Sequence, residues 1–273
     1  MKKIVTVQDI SCYGQCSITV ALPILSAYGI ETAILPSAVL STHTAGFEGF
    51  TCLDLTDEMQ NIVNHWKKEN ITFDGIYTGY IGDAKQFDII LELKNALNPG
   101  GLLIVDPAMA DNGKLYPALN DTIVEGMRKI TREADVVIPN LTEAAFLLNE
   151  PVNLNPGKAE VTHIVKELAK MGPEQVILTG VSYDDGKIGA VMYEKSSDKM
   201  TEYFTEKKVK SYHGTGDIFS SVLIAALLDG RDNFGILKEA CEFTADAIER
   251  TIPDDKHAYG VKFEQVLADK RNN

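Results

Sequence analysis

The 273-residue chain carries a formal net charge of −13, with 45% hydrophobic and 24% charged residues, the balance of a globular protein able to bury a large core as one α/β domain or two small ones. The acidity argues against nucleic acid as a partner, because phosphates call for a basic face. Cys12, Cys16, Cys52 and Cys241 form no C-x-x-C pair, and Gln8 and Asp9 interrupt the apolar start; this fits a reduced, cytoplasmic chain without a signal peptide, and no apolar stretch approaches the length needed to span a membrane.

Ile4-Val5-Thr6-Val7 reads as a first buried strand, followed by a helix over 17–28 that ends at Gly29 and a strand over 32–35. Residues 56–69 carry Met59, Ile62, Val63 and Trp66 at helical spacing. The strand Gly75-Ile76-Tyr77-Thr78 enters the turn Gly79-Tyr80-Ile81-Gly82, and a helix follows over 84–97. The strand over 102–105 ends at Asp106-Pro107. A helix over 121–132 leads to a strand over 136–138 that ends at Pro139-Asn140. Helices are expected over 142–149 and 158–171, then a strand over 176–179. Residues 188–193 and Met200–Val209 read as antiparallel strands joined by the polar turn 195–199. Helices over 217–229, 234–250 and 260–270 complete the chain.

This β-α-β-α repetition predicts a mostly parallel sheet with helices on both faces and a few antiparallel edge strands. No repeat, low-complexity tract or linker interrupts it, so residues 1–273 read as one domain. Sites in such sheets form beyond the carboxyl ends of the strands. The polar residues expected there are Gln8-Asp9, Thr78-Gly79-Tyr80, Asp106, Asn140 with Glu143, and Thr179-Gly180.

The segment most pointed in its chemistry is Gly214-Thr215-Gly216-Asp217, which runs into the small, apolar helix Val222–Leu228. Glycines let backbone N–H groups converge, and a helix N-terminus adds its positive dipole end, so an anion is favoured there. A carboxylate beside an anion hole is the wrong charge for simple phosphate binding and the right group to take a proton from an attacking hydroxyl. The plainer reading makes Asp217 an N-cap on a tight turn. Asn140-x-x-Glu143 has the spacing to orient water on Mg²⁺, or simply to cap a helix. Asp106-Pro107 offers a carboxylate to a metal or a leaving phosphate, or plain turn chemistry.

Asp106-Pro107, Asn140-Leu141-Thr142-Glu143 and Gly214-Thr215-Gly216-Asp217, in this order and spacing, resemble the ribokinase superfamily. Within it the chain is most similar to the pyridoxal (vitamin B6) kinases. The closer clues are Val7-Gln8-Asp9 with Tyr13-Gly14, Leu40-Ser41-Thr42-His43-Thr44, Thr78–Gly82, Asp106–Asp111 and Ile138-Pro139-Asn140. The resemblance implies a ribokinase-like three-layer sandwich and phosphoryl transfer from MgATP to the 5′-hydroxymethyl group of pyridoxal, pyridoxamine or pyridoxine. Asp217 would be the base, and Gly214, Thr215 and Gly216 the anion hole. Asp106 and Glu143 would organise Mg²⁺ through water, with Asn140 nearby. Thr179 and Gly180 would line the nucleotide, Asp111 would sit on a mobile flap, and Asp9, Thr44 and Tyr80 would line the ring pocket. A homodimer is also implied, and a monovalent cation requirement stays open.

Two departures lie in the ring pocket: Asp9 stands where the family usually has Ser, and Thr42 where Asn is common. They leave a hydroxymethylpyrimidine (thiamin-pathway) kinase as an alternative. A non-catalytic vitamin-binding protein is a rival of another class, and a sugar kinase is weakened by the lack of a long insertion near residues 10–40. Cys12 and Cys16 are expected as small apolar filling, His65 and Trp66 as packing residues, and His43 in packing or loop hydrogen bonding. His213 is expected to position backbone, and Lys207-Lys208-x-Lys210 to form a solvated strand edge.

Overall fold

The computed structural model describes residues 1–44, 46–210 and 212–271. Its centre is a nine-stranded sheet. In chain order the strands are β1 (Lys3–Ser11), β2 (Glu31–Leu40), β3 (Cys52–Asp54), β4 (Gly75–Thr78), β5 (Leu102–Val105), β8 (Val136–Val137), β9 (Gln175–Val181), β10 (Lys187–Glu194) and β11 (Lys199–Glu206). A separate hairpin consists of β6 (Ala110–Asp111) and β7 (Lys114–Leu115). The helices are α1 (Ile18–Ala27), α2 (Thr56–Lys68), α3 (Ala84–Leu97), α4 (Asp121–Glu133), α5 (Leu141–Leu148), α6 (Lys158–Met171), α7 (Thr215–Leu228), α8 (Asn233–Thr251) and α9 (Phe263–Arg271).

Across the sheet the order is β11-β10-β9-β8-β5-β4-β1-β2-β3. Strands β2, β1, β4, β5, β8 and β9 run parallel; β3, β10 and β11 pair antiparallel at the two edges. The chain steps outward from β1 to β2 and β3, then returns to build β4 on the other side of β1. The order therefore reverses between β1 and β4, where such sheets open a crevice at their carboxyl ends.

Period-two alternation divides the core. Val5 and Val7 join one apolar cluster with Met59 of α2, Phe87 and Leu93 of α3, Met127 of α4, Ala144 of α5 and Val165 of α6. Ile4, Tyr77 and Ile104 face the other way, into a cluster with Val20 and Ile24 of α1, Val222 and Leu223 of α7, Leu237 of α8 and Val266 of α9. The result is the expected three-layer α/β arrangement, with helices on both faces.

Several boundaries differ from expectation. β1 runs on through Gln8 and Asp9 to Ser11, so these polar residues lie in the strand, beside a register shift between Gln8 and Ile10. Thr179 and Gly180 likewise lie within β9. β11 stops at Glu206 and does not reach Val209; Lys207–Lys210 form a loop, because the β10 ladder ends at the Lys187–Glu206 pair and only the Lys207 N–H, donating to the Gly186 carbonyl, carries on from it among the described residues. The short strands β3, β6 and β7 were not expected at all: two or three residues carry too little periodicity to register.

Candidate active site

The carboxyl ends of the strands, the β6–β7 hairpin and residues 207–210 and 212–213 enclose a cleft of about 900 Å³. Every residue expected to serve chemistry lines it: Asp9, Thr44, Tyr80, Asp106, Asp111, Asn140, Glu143, Thr179, Gly180, Gly214, Thr215, Gly216 and Asp217.

At its centre is the first turn of α7. Gly214 occupies the N-cap position with φ 81°, and no side chain caps the helix. The first N–H groups of a helix have no intrahelical partner, so this mouth presents unclaimed donors and the positive end of the dipole to the cleft. Gly214 is required twice over. Its φ is left-handed, and a Cβ there would come within 1.9 Å of the Gln15 carbonyl oxygen. Asp217 stands in this first turn as an acidic residue and is not the cap. Crowding by protein, then the charge of Asp106, pushes its carboxyl up to about 7, against a pull from the Ser17 backbone. Ser17 itself holds a left-handed φ of 54° without being glycine, a strained conformation of the kind that persists where a site needs it.

Asp106 follows β5. Its Oδ2 accepts from Ser220 Oγ at 2.7 Å and its Oδ1 from the Ala108 N–H at 3.3 Å. Burial still raises its carboxyl above the ordinary range. Glu143 is buried, and burial with the nearby Asp106 charge raises it too. Asn140 Oδ1 accepts from the N–H groups of Thr142 and Glu143, and Glu143 Oε2 accepts from the Asn140 N–H at 2.9 Å. This is a reciprocal capping box on α5. Glu143 Oε1 also accepts from the Met109 N–H at 3.1 Å, and Asn140 Nδ2 donates to the Ala110 carbonyl at 2.8 Å. The capped helix therefore anchors the start of the hairpin that carries Asp111.

Asp9 is buried, receives a hydrogen bond from Ser11 Oγ at 2.9 Å, and is raised chiefly by burial; its charge also acts on Asp217. Tyr80, Thr44 and His43 line the same cleft. His43 is buried, its Nε2 3.1 Å from the Tyr259 carbonyl oxygen, so packing and loop hydrogen bonding both hold for it. His213 lines the cleft with its ring 5.9 Å from that of His43.

Other expectations change. Cys12 is exposed at the end of β1 instead of filling a core, and Cys16 lines the cleft beside Ser17. Trp66 packs on the core, but the His65 side chain is 69% exposed. The basic run borders the cleft: Lys208 pairs with Glu249 at 2.7 Å, Lys210 pairs with Asp255, and Lys207 lines the cavity. Sequence reasoning gave no role to Ser17, Tyr116 and Ser220, which line the cleft. Tyr116 had one weak signal, its place five residues past Asp111 on the expected flap; Ser220 had another, its place three residues past Asp217 in the same segment; Ser17 had none.

A family model described as phosphomethylpyrimidine kinase matches residues 22–262. A solved structure from Bacteroides thetaiotaomicron, whose description as a phosphomethylpyrimidine kinase is itself provisional, superposes with a TM-score of 0.93 at 37% identity, covering 98% of this chain and 95% of that one; that crystal form contains pyridoxal. Pyridoxal kinase from Lactobacillus plantarum gives a TM-score of 0.90 at 27% identity over 98% of this chain and 96% of its own. Among curated relatives, pyridoxal kinase of Arabidopsis thaliana is 27% identical, covering 94% of this chain and 84% of that protein. The chain belongs to the phosphomethylpyrimidine kinase family.

Proposed function

We propose that this protein transfers the γ-phosphoryl group of MgATP to the 5′-hydroxymethyl group of a vitamin B6 ring. The observation that carries this reading is the uncapped mouth of α7 with the Asp217 carboxyl in its first turn, opening on a cleft also lined by Asp9, Thr44 and Tyr80. Asp217 takes the alcohol proton as the alcohol oxygen bonds to γ-phosphorus. The bond from that phosphorus to the β–γ bridging oxygen breaks, and ADP leaves with the electron pair. N–H groups at Gly214, Thr215 and Gly216 receive the charge that builds on the transferring group. Thr179, Gly180 and the loop bearing Lys207 hold the nucleotide, Asp111 covers the phosphates from the hairpin, and Asp9 faces the ring nitrogen.

Mg²⁺, when bound, supplies charge neutralisation on the phosphates. The residues fit it loosely. Among the described residues no cluster of three His, Cys, Asp or Glu could hold a metal alone, and the Asp106 and Glu143 oxygens already accept protein hydrogen bonds. That suits a hard cation that keeps most of its waters and leans on substrate phosphates, with Asp106 and Glu143 reaching it through water and Asn140 steadying Glu143.

The four free cysteines support a cytoplasmic setting, and the homodimer rests on the family resemblance. The second reading, phosphorylation of a hydroxymethylpyrimidine, is favoured by the family match and by the buried carboxyl of Asp9. ATP consumption measured in parallel with pyridoxal, pyridoxamine, pyridoxine and the pyrimidine alcohol decides. We expect the B6 alcohols to have the higher kcat/KM. Preference for the pyrimidine overturns the substrate assignment, and no ATP consumption with any alcohol overturns the kinase reading in favour of a binding protein.

A further inference from the structure

The side chains of Asn140 and Glu143 close the cap of α5, whereas the side chain of Thr142, which stands between them in the sequence, takes no part in it. Thr142 is 1% exposed, among the buried apolar residues Leu141, Ala144 and Ala145. A buried hydroxyl needs a partner. Thr142 Oγ1 finds one across the fold, accepting a hydrogen bond from the Gly113 N–H at 3.0 Å. Gly113 lies at the tip of the β6–β7 hairpin, whose Asp111 and Asn112 line the cleft.

The tip leaves this N–H free for an outside partner. β6 and β7 are joined by two residues, Asn112 and Gly113, with Asp111 opposite Lys114. Both turn residues have positive φ, 50° and 82°, the combination that a type I′ turn requires and that Asn-Gly supplies. The ladder bonds of such a turn belong to the residues that flank it, so the two turn N–H groups point elsewhere. The Asn112 N–H donates to Asp111 Oδ1 at 2.8 Å and Asn112 Nδ2 to Asp111 Oδ2 at 2.9 Å, which folds the Asp111 carboxylate onto the turn. The Gly113 N–H goes to Thr142. The start of the hairpin is tied to the same turn of α5: the Met109 N–H donates to Glu143 Oε1 at 3.1 Å and Asn140 Nδ2 to the Ala110 carbonyl at 2.8 Å. Of these three ties between helix and hairpin, the one to Thr142 reaches the tip. Where the tip stands, the Asp111 carboxylate stands with it.

We propose that Thr142 is a positioning residue for the nucleotide, its hydroxyl latching the tip of the β6–β7 hairpin, and with it Asp111, at the cleft before ATP binds. The inference rests on the kinase reading above. Thr142 acts on Asp111 through Gly113 and Asn112. A hairpin held beforehand does not have to be ordered by the ligand, a cost otherwise taken from binding. The effect therefore falls on KM for ATP and leaves the chemical step alone.

Thr142→Val keeps the shape of the side chain and removes the acceptor. KM for ATP should rise about fivefold, the scale of one hydrogen bond, with kcat and the KM for pyridoxal within about twofold of wild type. Thr142→Ser keeps the hydroxyl and should restore the wild-type KM for ATP; a residue that only packed would show the reverse, valine tolerated and serine impaired. Thr142→Ala carries the same expectations as valine should valine fail to fold. Hydrogen exchange read by mass spectrometry without nucleotide should quicken several-fold over residues 110–115 in Thr142→Val, with the central sheet unchanged. Unchanged exchange in the hairpin overturns the latch. Faster exchange with a wild-type KM for ATP overturns its role in nucleotide binding, as does a serine variant that behaves like valine. If the wild type turns over none of the alcohols, the kinase reading fails, and the exchange measurement still decides whether Thr142 holds the hairpin.

Discussion

Two helices begin at the same cleft and end their N-termini in opposite ways. α5 is sealed by its own side chains: Asn140 and Glu143 satisfy each other's backbone donors in a capping box. α7 has no side-chain cap and begins at a left-handed glycine. A sealed end is stable and rigid, and its carboxylate is already engaged in the cap and in holding the hairpin at Met109. An open end gives up a cap worth about 1 kcal/mol and keeps its donors for an anion. Under the proposed function, the contrast matches what each terminus has left to offer: α5 places a frame, and α7 would meet the transferring group.

The strongest way to break this contrast is Asp217→Asn. It should lower kcat by about 10²–10⁴-fold, the usual contribution of a general base, without loss of folded structure by circular dichroism. Next is Gly214→Ala. Its Cβ would meet the Gln15 carbonyl at 1.9 Å in a left-handed backbone, so stability should fall by about 1–3 kcal/mol, read as a denaturant midpoint, with weaker ATP binding. Asn140→Ala at the sealed end should cost about 1 kcal/mol of stability and change kcat less than either substitution at α7. A larger kcat effect at Asn140 than at Gly214 would reverse the roles.

The smallest effects are in pH. The Asp217 carboxyl is raised in the folded protein to about 7, from about 4 when unfolded. A carboxyl so raised binds its proton more tightly in the folded state. Its neutral form therefore favours folding at low pH, and that contribution is lost as pH rises through about 7. The stability of Asp217→Asn relative to wild type should then grow as pH is raised from 5 to 8. Wild-type kcat/KM should fall in the other direction, as pH drops below about 7 and the base is protonated. Paired thermal melts and rate profiles check both slopes.

How legible this was in the chain varied with how local the signal is. The α7 mouth could be read because glycine, threonine, glycine and aspartate are contiguous and precede an apolar helix. The capping box was visible as Asn140-x-x-Glu143, but whether its side chains served a metal or the helix depended on the hairpin carbonyl and N–H that meet them across the fold. β1 was cut short at Val7 because Gln8, Asp9 and Ser11 are polar. They remain in the strand because the fold buries them at the base of the cleft, which no periodicity reveals. Lys207–Val209 were read as strand by continuity of composition, whereas pairing with β10 ends at Glu206.

The claim on which the rest depends is that the open end of α7 receives the phosphoryl group opposite Asp217. A crystal structure with Mg²⁺, ADP, fluoroaluminate and pyridoxal tests it directly. The account predicts fluoroaluminate within hydrogen-bond distance of backbone N–H groups in Gly214–Asp217, and the pyridoxal 5′-oxygen between it and the Asp217 carboxylate. Fluoroaluminate seated elsewhere in the cleft, or a 5′-oxygen facing away from Asp217, would contradict it.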